Sequence, residues 1–139
     1  MLHVEQAAFI LAKKFPNLAR YKDYWVAHPV DGKSLEQTKS AWVPIWIPTD
    51  IPQPTPQDLL NWWSEFREEY ELADALAAVR LKRDDLLTQA DSLVERAADA
   101  GDADLVTELR KYRAALRDVP QQTGFPLEVV WPQSPIQSN

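Results

Sequence analysis

Residues 57–98 contain neither proline nor glycine, and this uninterrupted stretch sets most of what the chain can fold into. It opens with a helix start. Thr55 suits the N-cap, Pro56 the first helical position, and Asp58 places a carboxylate beside the free N–H groups of the first turn. Leu72, Leu76, Val79, Arg83, Leu86, Ala90, Leu93 and Ala97 then recur at spacings alternating between 4 and 3. That is a heptad seam of the coiled-coil kind, interrupted only by Arg83. Upstream, Leu59, Trp62, Trp63, Phe66, Tyr70 and Ala73 make a wider, aromatic stripe, of the sort that packs on a globular neighbour. The pattern breaks at residues 99–102, where Gly101 suits a left-handed cap and Asp102 a new N-cap. Leu105, Leu109, Tyr112 and Leu116 resume it until Pro120 stops the helix. Two helices joined so briefly form an antiparallel hairpin with facing seams.

One unbroken helix over this stretch would measure ~64 Å, against ~37 Å for the diameter of a compact globule of this size. The stretch therefore either breaks, with Glu71 the natural place, or extends as an arm. The 72–97 seam is also longer than the second helix can cover. Its remainder must meet the N-terminal residues, a second copy of the chain (a homo-oligomer), or a partner.

The N-terminal residues read differently. Val4, Ala8, Leu11 and Phe15 share one face of a short helix that Pro16-Asn17 ends. Two aromatic, β-branched runs follow, Tyr21 to Val30 and Ala41 to Ile47, separated by an Asp31-Gly32 turn and a polar loop. Pro44 lacks a ladder donor, so the second run belongs at a sheet edge. Four of the eleven prolines fall within 47–56, which favours an extended conformation. Such a strap acts as a stiff spacer or lies in an aromatic groove, with the spacer the expected role. The expected architecture is α+β, mostly α. A small helix-plus-antiparallel-strand module occupies 1–46, the proline-rich strap 47–56, the helical hairpin 57–119 and an extended tail 120–139. Within the tail, Phe125, Leu127 and Val129 alternate well enough for a short strand, and the residues beyond Trp131 are expected to fray.

Composition narrows function. The 139 residues include no cysteine and only two histidines, His3 and His28. This excludes disulfides, thiolate nucleophiles and Cys-based metal centres, and no metal or cofactor is expected. No apolar run approaches the ~18 residues of a membrane span, and the first residues do not read as a secretory signal. A net charge of −6 argues against nucleic acid as a partner. A soluble protein of a reducing cytoplasm is the simplest expectation.

Candidate chemistry is sparse. Glu65, Glu68, Glu69 and Glu71 cluster on the long helix, but a solvated helix face explains them better than acid–base catalysis in a cleft. Neither histidine has a Ser or Asp partner at motif spacing, and no nucleophile elbow or phosphate loop is present. The chain reads as a non-enzyme with no catalytic residues. Arg83 on the seam either snorkels or pairs with a partner's acid. Trp25, Trp42 and Trp46 are the expected core of the N-terminal module. Six tryptophans exceed what one small core and a hairpin need, so at least one of Trp62, Trp63 and Trp131 is expected to touch another chain.

The stretch from Tyr112 to Pro126 (Tyr-Arg-Ala-Ala-Leu-Arg-Asp-Val-Pro, then Gly-Phe-Pro), with Val129-Val130-Trp131-Pro132, resembles the C-terminal signature of phage tail assembly chaperone and tail-fibre assembly proteins. Arg83-Asp84 and Leu86-Leu87 resemble that family's upstream Arg-Asp-x-Leu-Leu element. The family commonly carries a tryptophan shortly after this element, whereas here Asp91 is followed by Ser92-Leu93-Val94-Glu95. The N-terminal part, with Phe15-Pro16-Asn17, Asp23-Tyr24-Trp25-Val26, Trp46 and Pro52-Gln53-Pro54-Thr55, is similar to XkdW-type proteins of prophage tail clusters. These resemblances imply a non-catalytic helper in assembly of a tail fibre or other tail protein, working in the host cytoplasm. The alternative is a structural virion component that caps the fibre or joins it to the baseplate. The partner-binding residues expected on this basis are Trp62, Trp63, Phe66, Arg83, Tyr112, Arg113, Arg117, Phe125, Pro126, Trp131 and Pro132.

Overall fold

The computed structural model describes residues 1–136. In chain order it comprises helix α1 (Val4–Lys14), strands β1 (Tyr24–Ala27) and β2 (Trp42–Trp46), helix α2 (Pro56–Asp99), helix α3 (Ala103–Arg117) and a 3-10 turn at Val119–Gln121. The mostly helical α+β class expected from the sequence is what forms. The chain divides into two compact units between Tyr70 and Glu71, and α2 contributes to both.

In the first unit, α1 is capped at its start by an exchange between neighbouring residues. His3 Nδ1 accepts the Glu5 N–H at 3.2 Å, and Gln6 Oε1 accepts the His3 N–H at 2.8 Å. His28 Nδ1 accepts the Val4 N–H at 3.0 Å, so both histidines satisfy free donors of the first turn. The two strands pair antiparallel, Tyr24 opposite Trp46, Trp25 opposite Ile45 and Ala27 opposite Trp42, with a register shift between Trp25 and Ala27. Pro44 falls in the part of β2 facing that shift, where the ladder is irregular and its missing N–H is tolerated. The connecting loop is held by Asp31, whose Oδ1 accepts the Lys33 and Ser34 N–H groups, both at 2.8 Å. These two bonds hold the Asp31 carboxyl below its ordinary range.

The core of this unit is Leu2, Ala7, Ile10, Leu11, Tyr24, Ala41, Val43 and Leu59. Phe15, Leu18, Val26, Trp46, Trp62, Trp63 and Phe66 pack around it. The tryptophan expectation is corrected here. Trp46 joins the core, but Trp42 faces outward and the aromatic stripe of α2 takes its place. The strap is not a free spacer either. Trp46 Nε1 donates to the Ile51 carbonyl at 2.8 Å, Gln53 Nε2 donates to the Val43 carbonyl at 2.7 Å, and Pro54 is buried. Stiffness and anchoring act together, because a chain already extended loses little entropy when two bonds pin it.

The α2 start is a reciprocal cap: Asp58 N–H donates to Thr55 Oγ1 at 3.1 Å, and Thr55 N–H donates to Asp58 Oδ2 at 2.8 Å. The helix then runs without a break past Glu71, which decides against the interruption allowed for there. It ends where Gly101 adopts φ +71° and the Asp102 N–H reaches back to the Ala97 carbonyl at 3.0 Å. Asp102 caps α3 by accepting the Leu105 N–H at 3.1 Å.

In the second unit the seams meet in reverse order. Val94 and Ala97 pack with Leu105 and Leu109, and Ala90 and Leu86 pack with Tyr112 and Leu116, so the two helices run antiparallel as a hairpin. Trp131 joins the second of these clusters. The returning tail, within the same chain, therefore covers a stretch of the seam near Leu86. Leu72, at the other end of the seam, is 48% exposed.

The short strand that the alternation in the tail allowed does not form. After the 3-10 turn the tail passes through consecutive turns to Leu127, because Pro120, Gly124 and Pro126 favour bends over a ladder. Pro132 and Ser134 are half-buried, so the chain just beyond Trp131 is packed rather than frayed. The rest of that expectation, residues 137–139, lies outside the described residues.

Candidate interaction surfaces

Each unit leaves large apolar side chains exposed. On the first, Val43 and Trp46 pack on the core while Trp42, Ile45 and Ile47 stay outside it, because the register shift in the ladder breaks strict alternation along β2. All three are exposed, Ile47 by 56%, beside the half-buried Trp25 that pairs with Ile45. By strict alternation Trp42, Ile45 and Ile47 cannot all share one face, since Pro44 interrupts the pattern; the irregular ladder nevertheless leaves all three exposed.

The α2 residues expected to bind a partner are occupied differently. Trp62, Trp63 and Phe66 pack against the core of the first unit. Trp62 meets Phe15 edge to face at 5.9 Å between centroids, and Trp63 meets Tyr70 at 5.5 Å. Two members of the acidic cluster are also engaged. Glu65 pairs with Lys14 at 2.9 Å and Glu69 with Lys13, tying α2 to α1. The Lys14 ammonium lies 5.4 Å from the Trp62 ring centroid and 5.5 Å from that of Phe66. Arg20 and Glu5 form a two-bond pair, both bonds 3.1 Å, which holds the Glu5 carboxyl low and the guanidinium high.

On the second unit, most of the C-terminal signature builds the fold. Tyr112 and Leu116 are buried on α3, and Val119 is buried in the 3-10 turn. Burial pushes the Tyr112 phenol above its ordinary value. Arg113 Nη1 donates to Asp91 Oδ1 at 3.0 Å, bridging α3 to α2. Trp131 packs on the hairpin, with the Lys82 ammonium 4.5 Å from its ring centroid. Phe125, Pro126 and Pro132 are half-buried, and Arg117 is exposed. Arg83 sits on the seam 24% exposed, 4.0 Å from Asp84, with its Nε buried and without an acceptor.

Two contacts shape the tail loop. Gln122 binds both backbone groups of Val130, and the Glu128 N–H donates to the Gly124 carbonyl at 2.8 Å. The loop so clasped presents Leu127 and Val130 to solvent, 66% and 82% exposed. Val130 falls inside the signature and Leu127 just beyond its Gly-Phe-Pro, whereas Trp131 beside them packs on the hairpin.

Residues 76–136 match the family model described as phage tail assembly chaperone protein, and residues 7–71 match that of XkdW protein. Both resemblances drawn from the motifs are thus shown, and the two matches fall on the two structural units almost one to one. No curated protein and no solved structure matches the chain. Among the described residues, no helix is long and apolar enough to cross a membrane.

Proposed function

We propose that the protein is a phage or prophage tail assembly chaperone that binds a tail fibre, or another tail protein, through apolar side chains held in solvent, and that it works without catalysis. What carries this reading is the similarity of residues 76–136 to tail assembly chaperone proteins. It is supported by the way the signature is spent: its tyrosine, leucine and tryptophan pack on the hairpin, while a loop clasped by Gln122 leaves Leu127 and Val130 bare. Exposed apolar groups on an ordered framework suit transient covering of apolar partner surfaces. Exposed Trp42, Ile45 and Ile47 offer further such groups. The working place would be the host cytoplasm during assembly.

Co-expression with the fibre encoded beside it tests the reading. Soluble, trimeric fibre should require the protein, and fibre that forms equally well without it would sink the proposal. A second reading, that the protein stays on the virion and caps the fibre or links it to the baseplate, is favoured by the exposure of large apolar side chains on each unit. Mass spectrometry of purified particles separates the two, since a chaperone alone should be missing from them.

A further inference from the structure

Within the second unit, a groove of about 550 Å³ opens between α2, α3 and the chain beyond Trp131. That volume lies in the range of small-ligand and side-chain pockets. Leu86, Ala90, Leu93 and Ile136 form its apolar wall. Thr88, Gln89, Ser92 and Ser134 add neutral polar groups, and two further residues bear on what the groove can hold. Tyr112 lines it while only 8% exposed, and among the described residues its hydroxyl has no hydrogen-bond partner. The hydroxyl oxygen is not itself enclosed, so it meets the open space of the groove as an O–H donor. Arg96 also lines the groove and has no ion pair among the described residues. In a chain of net charge −6, the described residues of the lining include a cation and no carboxylate.

We infer that this groove takes a short peptide segment of the protein's partner in which a bulky apolar side chain is followed by a carboxylate. The apolar side chain enters between Leu86 and Leu93, a peptide carbonyl accepts the Tyr112 O–H, and the carboxylate pairs with Arg96. That the partner is a tail protein rests on the chaperone reading; the chemistry of the groove does not.

The test is a titration of the full chain with acetyl-Gly-Leu-Asp-Gly amide and with its Asn counterpart, read from the methyl NMR signals of Leu86 and Leu93. The Asp peptide should give saturable shifts, and the Asn peptide should bind about threefold more weakly, as loss of one solvent-rim ion pair implies. Arg96→Gln should bring both peptides to the weaker value. Tyr112→Phe, which keeps the ring, should weaken both about fivefold. Unsaturable shifts, equal binding of the two peptides to the unaltered chain, or indifference to Tyr112→Phe would each overturn the inference. So would binding that appears only after residues 137–139 are removed, which would make the chain's own end the occupant. No tail protein is used, so this test and the co-expression test can fail independently.

Discussion

The Gln122 side-chain amide closes on the backbone of Val130 from both sides, donating to its carbonyl at 2.7 Å and accepting its N–H at 2.8 Å. A single side chain thereby does what a paired strand would do, and the tail keeps its shape without a ladder.

Replacing Gln122 by Ala removes both bonds at an exposed site, a loss of about 1 kcal/mol. The expected outcome is local. Exchange of the Val130 amide should accelerate about fivefold while that of Leu109, in the hairpin core, stays unchanged. Equal acceleration at both positions would show that the clasp supports the whole unit instead.

Gly124 is demanded by space. A Cβ there would lie 2.8 Å from Glu128 Cβ and 2.9 Å from the Glu128 carbonyl oxygen, whereas one at Gly32 would meet nothing within 4 Å. Gly124→Ala should destabilise by about 1–3 kcal/mol and Gly32→Ala by less than about 0.5 kcal/mol. Urea midpoints of the two variants, side by side, check the contrast.

The cap at Thr55 and Asp58 gives a pH dependence whose sign follows from the bonding. Bonds from the Thr55 backbone and hydroxyl hold the Asp58 carboxyl below its ordinary value. Its contribution to stability is therefore complete above the carboxylate's unfolded pKa and is lost as pH falls through the lower, folded one. Asp58→Ala should be less stable than the unaltered chain at pH 7, and the gap should close on acidification. A gap constant with pH would refute this.

Arg83 carries a buried Nε with no acceptor on a seam otherwise lined by apolar residues. Arg83→Met keeps the long stem and removes the unsatisfied donor, so a gain of about 1 kcal/mol in stability is expected. If thermal melting instead shows a loss of similar size, the guanidinium is contributing more than its packing.

Leu59 is fully buried although it stands in the first turns of a helix, while Leu81 on the same helix is 76% exposed. Leu59→Ala should cost about 2–5 kcal/mol, and Leu81→Ala under about 0.5 kcal/mol. The difference checks that the first turns of α2 belong to the core of the N-terminal unit.

Local chemistry by itself determined a good deal of this protein. The cap at Thr55 and Asp58, the turn at Gly101 and Asp102, the end of α1 and the antiparallel strand pair were all legible, because each depends on residues within a few positions of one another. The heptad spacing likewise showed which face of α3 would meet α2. What the sequence could not decide was which apolar residues would find cover. The stripe of Trp62, Trp63 and Phe66 read as one that packs on a globular neighbour, which it does in the first unit, whereas Trp42 read as core and is exposed. Tryptophan has the same composition whether buried or bare. Only the tertiary structure, by bringing α1 and the strap against α2 and folding the tail back to seat Trp131, left Leu127, Val130, Ile45 and Ile47 among the apolar side chains still open.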